Sequence, residues 1–173
     1  MKKVIIIIAV VVISMLGTKG EANVLIPKDA IRLRVLANSN SEDDLEIKEK
    51  VRIEVEKVIS NILNNTFNVD DARKTLRNSL SRIDDEVGKV LNINEYDQTY
   101  KVDYGMHYFP EKIHKGVKYE EGTYESVLIT LGEGKGDNWW CVLFPPLCLL
   151  EAEESDEVEY KFFVSDLIDK YFK

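Results

Sequence analysis

Cysteine and histidine are scarce in this chain of 173 residues, with only two of each. So few cysteines exclude a small scaffold stapled by many disulfides, although a single bridge is allowed. Four prolines and nine glycines are too few for a collagen-like or low-complexity chain. Acidic side chains outnumber basic ones by 31 to 23, and the net charge is -8. This balance argues against nucleic acid as a partner, because phosphates require a basic surface.

Hydrophobic residues make up 45% of the chain, which is enough for one globular core, but the densest run lies at the N-terminus. Residues 4–16 contain a single polar side chain and follow a pair of lysines. A membrane-spanning helix needs roughly 20 apolar residues, whereas a positive start and an apolar run of about 7–15 are typical of a signal peptide. Gly20 and Ala22 provide the small residues that a signal peptidase reads.

Residues 1–22 are therefore predicted to be a signal peptide, with an uncleaved membrane tether as the alternative. In both cases the rest of the chain lies outside the cytoplasmic membrane. Residues 23–150 are predicted to form one domain, and residues 151–173 an acidic linker followed by a C-terminal helix. Removal of the signal takes away three lysines and one glutamate, so the mature protein is more acidic still.

The domain divides into a helical half and a strand half. Residues 31–37 alternate between apolar and polar side chains, which is typical of a strand, and the Asn-Ser-Asn-Ser run at 38–41 ends it. Apolar residues at steps of three and four then predict two consecutive helices, the second beginning at Asp70 and Asp71.

Beyond Tyr96 the composition becomes aromatic, and alternation predicts strands at 102–108, 124–131 and 139–144. Together these elements predict an α+β fold: a mostly antiparallel sheet, two consecutive helices packed on one face, and a short C-terminal helix.

The glycine-rich segment 132–137 is a candidate for a phosphate-binding loop. Its glycines alternate strictly, and it matches neither the P-loop pattern nor the dinucleotide fingerprint. A tight connection between two strands is therefore the favoured interpretation. No cofactor is predicted.

Cys141 and Cys148 lie seven residues apart on either side of two prolines, so the chain could turn back and bring them within bridging distance. A disulfide is the leading prediction, and two buried free thiols are an alternative. A sharper alternative makes the protein an exported cysteine hydrolase of cell-wall peptides, with Cys141 as nucleophile and His107 or His114 as its base. The apolar surroundings of Cys141 disfavour a thiolate.

A metal site formed by His107, Glu111 and His114 is not predicted, because their spacing matches no established ligand motif. Trp139 and Trp140 are adjacent, so on a strand they point to opposite faces. An exposed tryptophan beside Phe144 is a good anchor for a partner protein. Trp139, Trp140 and Phe144 are therefore interface candidates, although burial of both tryptophans is an equal alternative.

Three stretches of the chain resemble the stage II sporulation protein R family. They are RVLANSNSEDD at 34–44, HYFPEK at 107–112 and GEGKGDNWWCVLFPPLC at 132–148. Their order and spacing, with a TYES strand between the last two, extend the resemblance over roughly residues 30–150. The last stretch is the most specific of the three.

The resemblance implies a sporulation signalling protein and not an enzyme. Members of the family are exported from the forespore into the space between the two septal membranes of a Gram-positive spore former. There they activate a membrane-embedded aspartic protease, stage II sporulation protein GA, which processes the sigma-E precursor. The protease supplies the catalytic residues, so the resemblance implies none in this chain.

Overall fold

The structure is a computed structural model that describes residues 26–114, 117–147 and 157–172. The predicted signal peptide and Cys148 lie outside the described residues. Within the described ranges, no helix combines the length and the apolar character needed to cross a bilayer.

The described part of the chain confirms the α+β fold. Its helices are α1 (Glu42–Leu63), α2 (Val69–Asn78), α3 (Leu80–Ile93) and α4 (Glu157–Phe172). Its strands are β1 (Ile31–Leu36), β2 (Tyr100–Phe109), β3 (Lys112–His114), β4 (Val117–Tyr119), β5 (Gly122–Leu131) and β6 (Asn138–Phe144).

The helices differ from the sequence prediction in two details. The second predicted helix is divided at Ser79, whose non-helical φ and ψ of -107° and 9° end α2 and begin α3, so three helices follow β1 in succession. The C-terminal helix begins at Glu157, so residues 157–159 of the predicted acidic linker are helical. Residues 151–156 lie outside the described residues.

Four strands form one mixed sheet in the order β2-β5-β1-β6. β1 runs parallel to β5, whereas the β1–β6 and β2–β5 pairs are antiparallel. β3 and β4 form a separate hairpin, which the alternation pattern does not predict. The order places β2 and β6 at opposite edges of the sheet.

The two faces of this sheet have different coverings. On the helix face, Ile31, Leu33 and Val35 of β1 pack with the apolar stripes of α1, α2 and α3 to form the main core. On the outer face, a smaller cluster joins the hairpin, α4 and the segment before β1; its members are Ile26, Ala30, Val117, Val142, Leu147, Val164 and Leu167. The C-terminal helix is thus packed onto the domain.

The turn at residues 38–41 and the glycine loop at residues 132–137 are bound tightly together. The backbone N–H groups of Lys135 and Gly136 donate to the carbonyls of Asn38 and Ala37, at 3.0 and 2.9 Å. The Asn38 side chain also accepts the N–H of Glu133 at 2.9 Å. The glycine loop is therefore a structural connection that fixes the start of β6 against the end of β1.

Asp44 secures the other side of the same turn. Its carboxylate is 7% exposed and accepts hydrogen bonds from the Asn38 side-chain amide at 3.0 Å and from the hydroxyls of Ser39 and Tyr96. Hydrogen bonds from Ser39 and Tyr96 lower the pKa of Asp44 from 3.8 to about 2. Ser41 caps α1 by accepting the Asp44 N–H at 3.2 Å.

Gly136→Ala should destabilise the fold, because a Cβ there would lie 2.2 Å from the carbonyl oxygen of Ser39. We expect the free energy of unfolding to fall by about 1–3 kcal/mol, measured by urea denaturation. Gly105→Ala is the matched control, since its nearest neighbours would be 3.7 Å or more away. Equal stability of the two variants would show that the loop and the turn can move apart without cost to make room for a side chain at residue 136.

Asp44→Asn should lower the free energy of unfolding at neutral pH by about 2 kcal/mol. The carboxylate's pKa is depressed in the folded state, so its contribution is complete above the unfolded value of 3.8 and is lost as the pH falls toward about 2. The difference between wild type and variant should therefore shrink across that window in denaturation curves. The exposed Asp43→Asn control should show a smaller difference at neutral pH, and a gap for Asp44→Asn that does not change with pH would contradict the assignment.

Candidate functional site

Trp139 and Trp140 lie on opposite faces of β6, as strand alternation requires. Trp139 pairs with Val35 and packs against the main core, with the Arg52 guanidinium 4.9 Å from its ring centroid. Trp140 pairs with Arg34 on the outer face and is half-buried. Of the two tryptophans, Trp140 is the one on the face that α1, α2 and α3 leave open.

Phe144 does not provide the exposed ring that the sequence suggested. It is 1% exposed and belongs to the main core, because a register shift between Ile31 and Arg32 turns this end of β6 inward. Tyr171 of α4 packs edge-on against it with ring centroids 4.8 Å apart. Its ring is therefore not accessible to a partner in this structure.

A group of cations and aromatic rings occupies the outer face around Trp140. We call Arg32, Arg34, Lys112, Phe109 and Trp140 the cation–aromatic cluster. The Phe109 ring lies 5.1 Å from the Arg32 guanidinium and 5.9 Å from that of Arg34. The Trp140 ring lies 5.9 Å from Arg34 and 5.3 Å from the Lys112 ammonium, and the two rings meet edge to face at 5.8 Å.

Arg32 is the most buried cation of the cluster, at 2% exposure. Its guanidinium lies 3.4 Å from the centroid of the Tyr124 ring, which is close stacking for a cation on an aromatic face. Its Nε and Nη2 atoms have no hydrogen-bond partner, and neither does the buried indole nitrogen of Trp140. Burial lowers the pKa of Arg32.

Arg34 is held at the rim of the cluster. Its Nε donates to the Asn138 side chain at 2.8 Å, and its Nη1 donates to the Tyr108 carbonyl at 3.1 Å. Both acceptors are neutral, so these bonds orient the guanidinium without cancelling its charge.

A second polar group lies further along the outer face, on β2 and β5. The His107 ring is 2.9 Å from the Asp103 carboxylate through Nε2 and 2.7 Å from the Ser126 hydroxyl through Nδ1. These partners resemble those of a Ser-His-Asp triad. Ser126 is 0% exposed, however, so its hydroxyl is not accessible to a substrate, and the chain of bonds acts as a structural tie between the two strands.

Cys141 lies far from the histidine of the β2 strand. It is on β6, and three strand spacings separate it from β2, roughly 14 Å. Its sulfur is part of a disulfide, and a bridged sulfur cannot be a thiolate nucleophile. Its pairing with Cys148 stays a prediction, because Cys148 lies outside the described residues.

The other residues considered for metal binding have different neighbours. Glu111 pairs with Lys118 at 2.9 Å, whereas His107 bonds to Asp103 and Ser126, and His114 lies on the separate hairpin. Among the described residues, no group of three or more potential ligands could hold a metal ion.

Sequence reasoning identified Trp140 but missed the cations around it. Arg32 and Arg34 belong to the polar side of the alternating strand 31–37, and Lys112 enters only as the last residue of the HYFPEK stretch. The alternation of β1 was a usable signal, since two arginines on one face of a central strand require a covering that stabilises them. Their contact with Phe109 depends on strand order, which the sequence pattern does not contain.

Comparison with known proteins identifies the family of this chain. The family model described as stage II sporulation protein R matches residues 27–154. A curated relative, the stage II sporulation protein R of Bacillus subtilis (strain 168), is 40% identical over 136 residues. That stretch covers 79% of this chain and 61% of the relative, so the chain spans less than two thirds of that protein. No solved structure matches the chain. The chain belongs to the stage II sporulation protein R family.

Proposed function

We propose that this protein is an exported sporulation signal that activates the membrane-embedded protease processing the sigma-E precursor. It leaves the forespore through its N-terminal signal and acts in the space between the two septal membranes. The partner is the aspartic protease stage II sporulation protein GA. Membership of the stage II sporulation protein R family is the observation that carries this proposal.

The geometry supports a binding role more than a catalytic one. The histidine with acid and hydroxyl partners bonds to a serine that is 0% exposed, and the sulfur of Cys141 is in a disulfide. A hydrolase needs a nucleophile that a substrate can reach. The alternative, an exported cysteine hydrolase with Cys141 and a histidine base, is therefore disfavoured, because the sulfur of Cys141 is not available as a nucleophile.

The export step can be tested by gene deletion and rescue in the spore former. A strain without the gene should accumulate unprocessed sigma-E precursor, and the full chain expressed in the forespore should restore processing, measured by immunoblot. A version lacking residues 1–22 should not restore it, because the domain stays in the forespore cytoplasm. Fusion of the same truncated chain to an unrelated signal peptide is the control and should restore processing.

Full rescue by the version without a signal, while it remains inside the forespore, would contradict the proposed location. Normal sigma-E processing in the deletion strain would contradict the proposed function itself.

The non-enzymatic role predicts that removing candidate nucleophiles and bases leaves signalling intact. Cys141→Ser, His107→Ala and Ser126→Ala should each retain processing close to wild type at equal protein level, because none of these groups performs chemistry. Loss of a catalytic triad member would instead lower a rate by about 10⁴-fold or more. The measurement is the rate of precursor processing, with thermal unfolding of each purified variant as the folding control.

A variant that folds normally but abolishes processing would reverse this assignment. Cys141→Ser is the most informative case, because it also tests the hydrolase alternative directly.

A further inference from the structure

The cation–aromatic cluster carries positive charge that nothing in the described chain neutralises. The protein has a net charge of -8, and its helix arginines illustrate the usual arrangement. Arg73 and Arg77 both pair with Glu125, at 2.7 and 3.1 Å. Among the described residues, by contrast, the recorded partners of Arg32, Arg34 and Lys112 are aromatic rings and neutral acceptors, with no carboxylate.

Among the described residues, this arrangement of cations is energetically costly unless an opposite charge lies beside it. Burying a cation without an opposite charge is costly, and three cations around two neighbouring rings repel one another. Stacking on Phe109, Tyr124 and Trp140 offsets part of this cost, since each cation–aromatic contact contributes about 0.5–2 kcal/mol. It does not supply a counter-charge.

The unsatisfied polar atoms of the cluster have one chemical character. Arg32 Nε, Arg32 Nη2 and Trp140 Nε1 are buried without partners, and all three are donors. A ligand cannot reach these buried donors directly, but the cations Arg34 and Lys112 at the rim favour a group that is rich in acceptors and negatively charged. A carboxylate meets both conditions and matches the planar guanidinium.

The rim of the cluster is open to a ligand. Lys112 is exposed, whereas Arg34 and Trp140 are half-buried. Asn138 and the Tyr108 carbonyl hold Arg34 in place, so little side-chain freedom is lost when it binds. Arg32 lies beneath Arg34 and contacts the same Phe109 ring. Its positive charge also attracts the ligand, and the low dielectric constant of the protein interior strengthens that attraction.

We propose that the cation–aromatic cluster is the docking site for an acidic segment of the partner protein, whose carboxylates contact Arg34 and Lys112 beside the Trp140 ring. This deepens the proposed function and rests on it for the identity of the partner. A lipid surface fits less well, because membrane binding by electrostatics needs an extended basic surface. Here the basic site is a small cluster on a strongly acidic molecule.

The direct test measures binding of a fluorescent polyglutamate peptide to the purified mature domain by fluorescence polarisation. Wild type should bind it more weakly as salt rises and should not bind polyglutamine. Arg34→Gln/Lys112→Gln should reduce the affinity by about tenfold or more. Lys74→Gln/Lys101→Gln removes the same charge from exposed positions outside the cluster and should change the affinity little.

Trp140→Phe keeps an aromatic ring but offers the cations a smaller face, so it should weaken binding by a smaller factor. Thermal unfolding of every variant separates loss of binding from loss of fold. Equal affinities of the two double variants would overturn the proposal. So would absence of peptide binding by wild type, or preferential binding of phosphatidylglycerol vesicles that the cluster variants also lose.

A second measurement separates this inference from the proposed function. Membranes containing the protease should retain the wild-type domain and the Lys74→Gln/Lys101→Gln control, whereas Arg34→Gln/Lys112→Gln should be retained much less. If the protease is not the partner, wild type will not be retained either, while its binding to polyglutamate persists. Retention of the cluster variant equal to wild type would overturn the docking site.

Discussion

The carboxylate of Asp44 holds together three segments of this domain that are separate along the chain. It collects hydrogen bonds from Asn38, Ser39 and Tyr96, and so ties the end of β1, the start of α1 and the segment before β2 into one unit. Asn38, held in this way, receives the glycine loop. Because that loop leads directly into β6, the partners of one buried acid set the position of the strand that carries both tryptophans.

The close approach of this loop explains its glycines better than any ligand does. Gly132 and Gly134 have φ values of 53° and 63°, in the left-handed region that side chains disfavour. A Cβ on Gly132 or Gly136 would also collide with Asn38 or Ser39. What resembled a phosphate cradle in composition is occupied by the protein's own backbone and by the Asn38 side chain.

Much of the fold was predictable because its signals are local. Alternation in β1, β2 and β5 and the apolar stripe of α1 each place a face toward the core, independently of distant residues. The division of the second helix at Ser79 was missed because the apolar stripe continues across it. Phe144 was misplaced for a different reason: a register shift in the β1–β6 pair turns it inward, and α4 then covers it.

The sequence by itself determined most of the helices and strands, the acidity, the family signature and the opposite directions of Trp139 and Trp140. Each of these follows from composition or from a period of a few residues. Tertiary structure alone decided that β2 and β6 lie at opposite edges, which separates His107 from Cys141. It also paired β2 with β5, which brings His107 to Ser126. It also gathered Arg32, Arg34 and Lys112 around Phe109 and Trp140. Such contacts join residues up to about a hundred positions apart, as Arg34 and Asn138 show, and they depend on strand order and register, which the sequence pattern alone does not reveal.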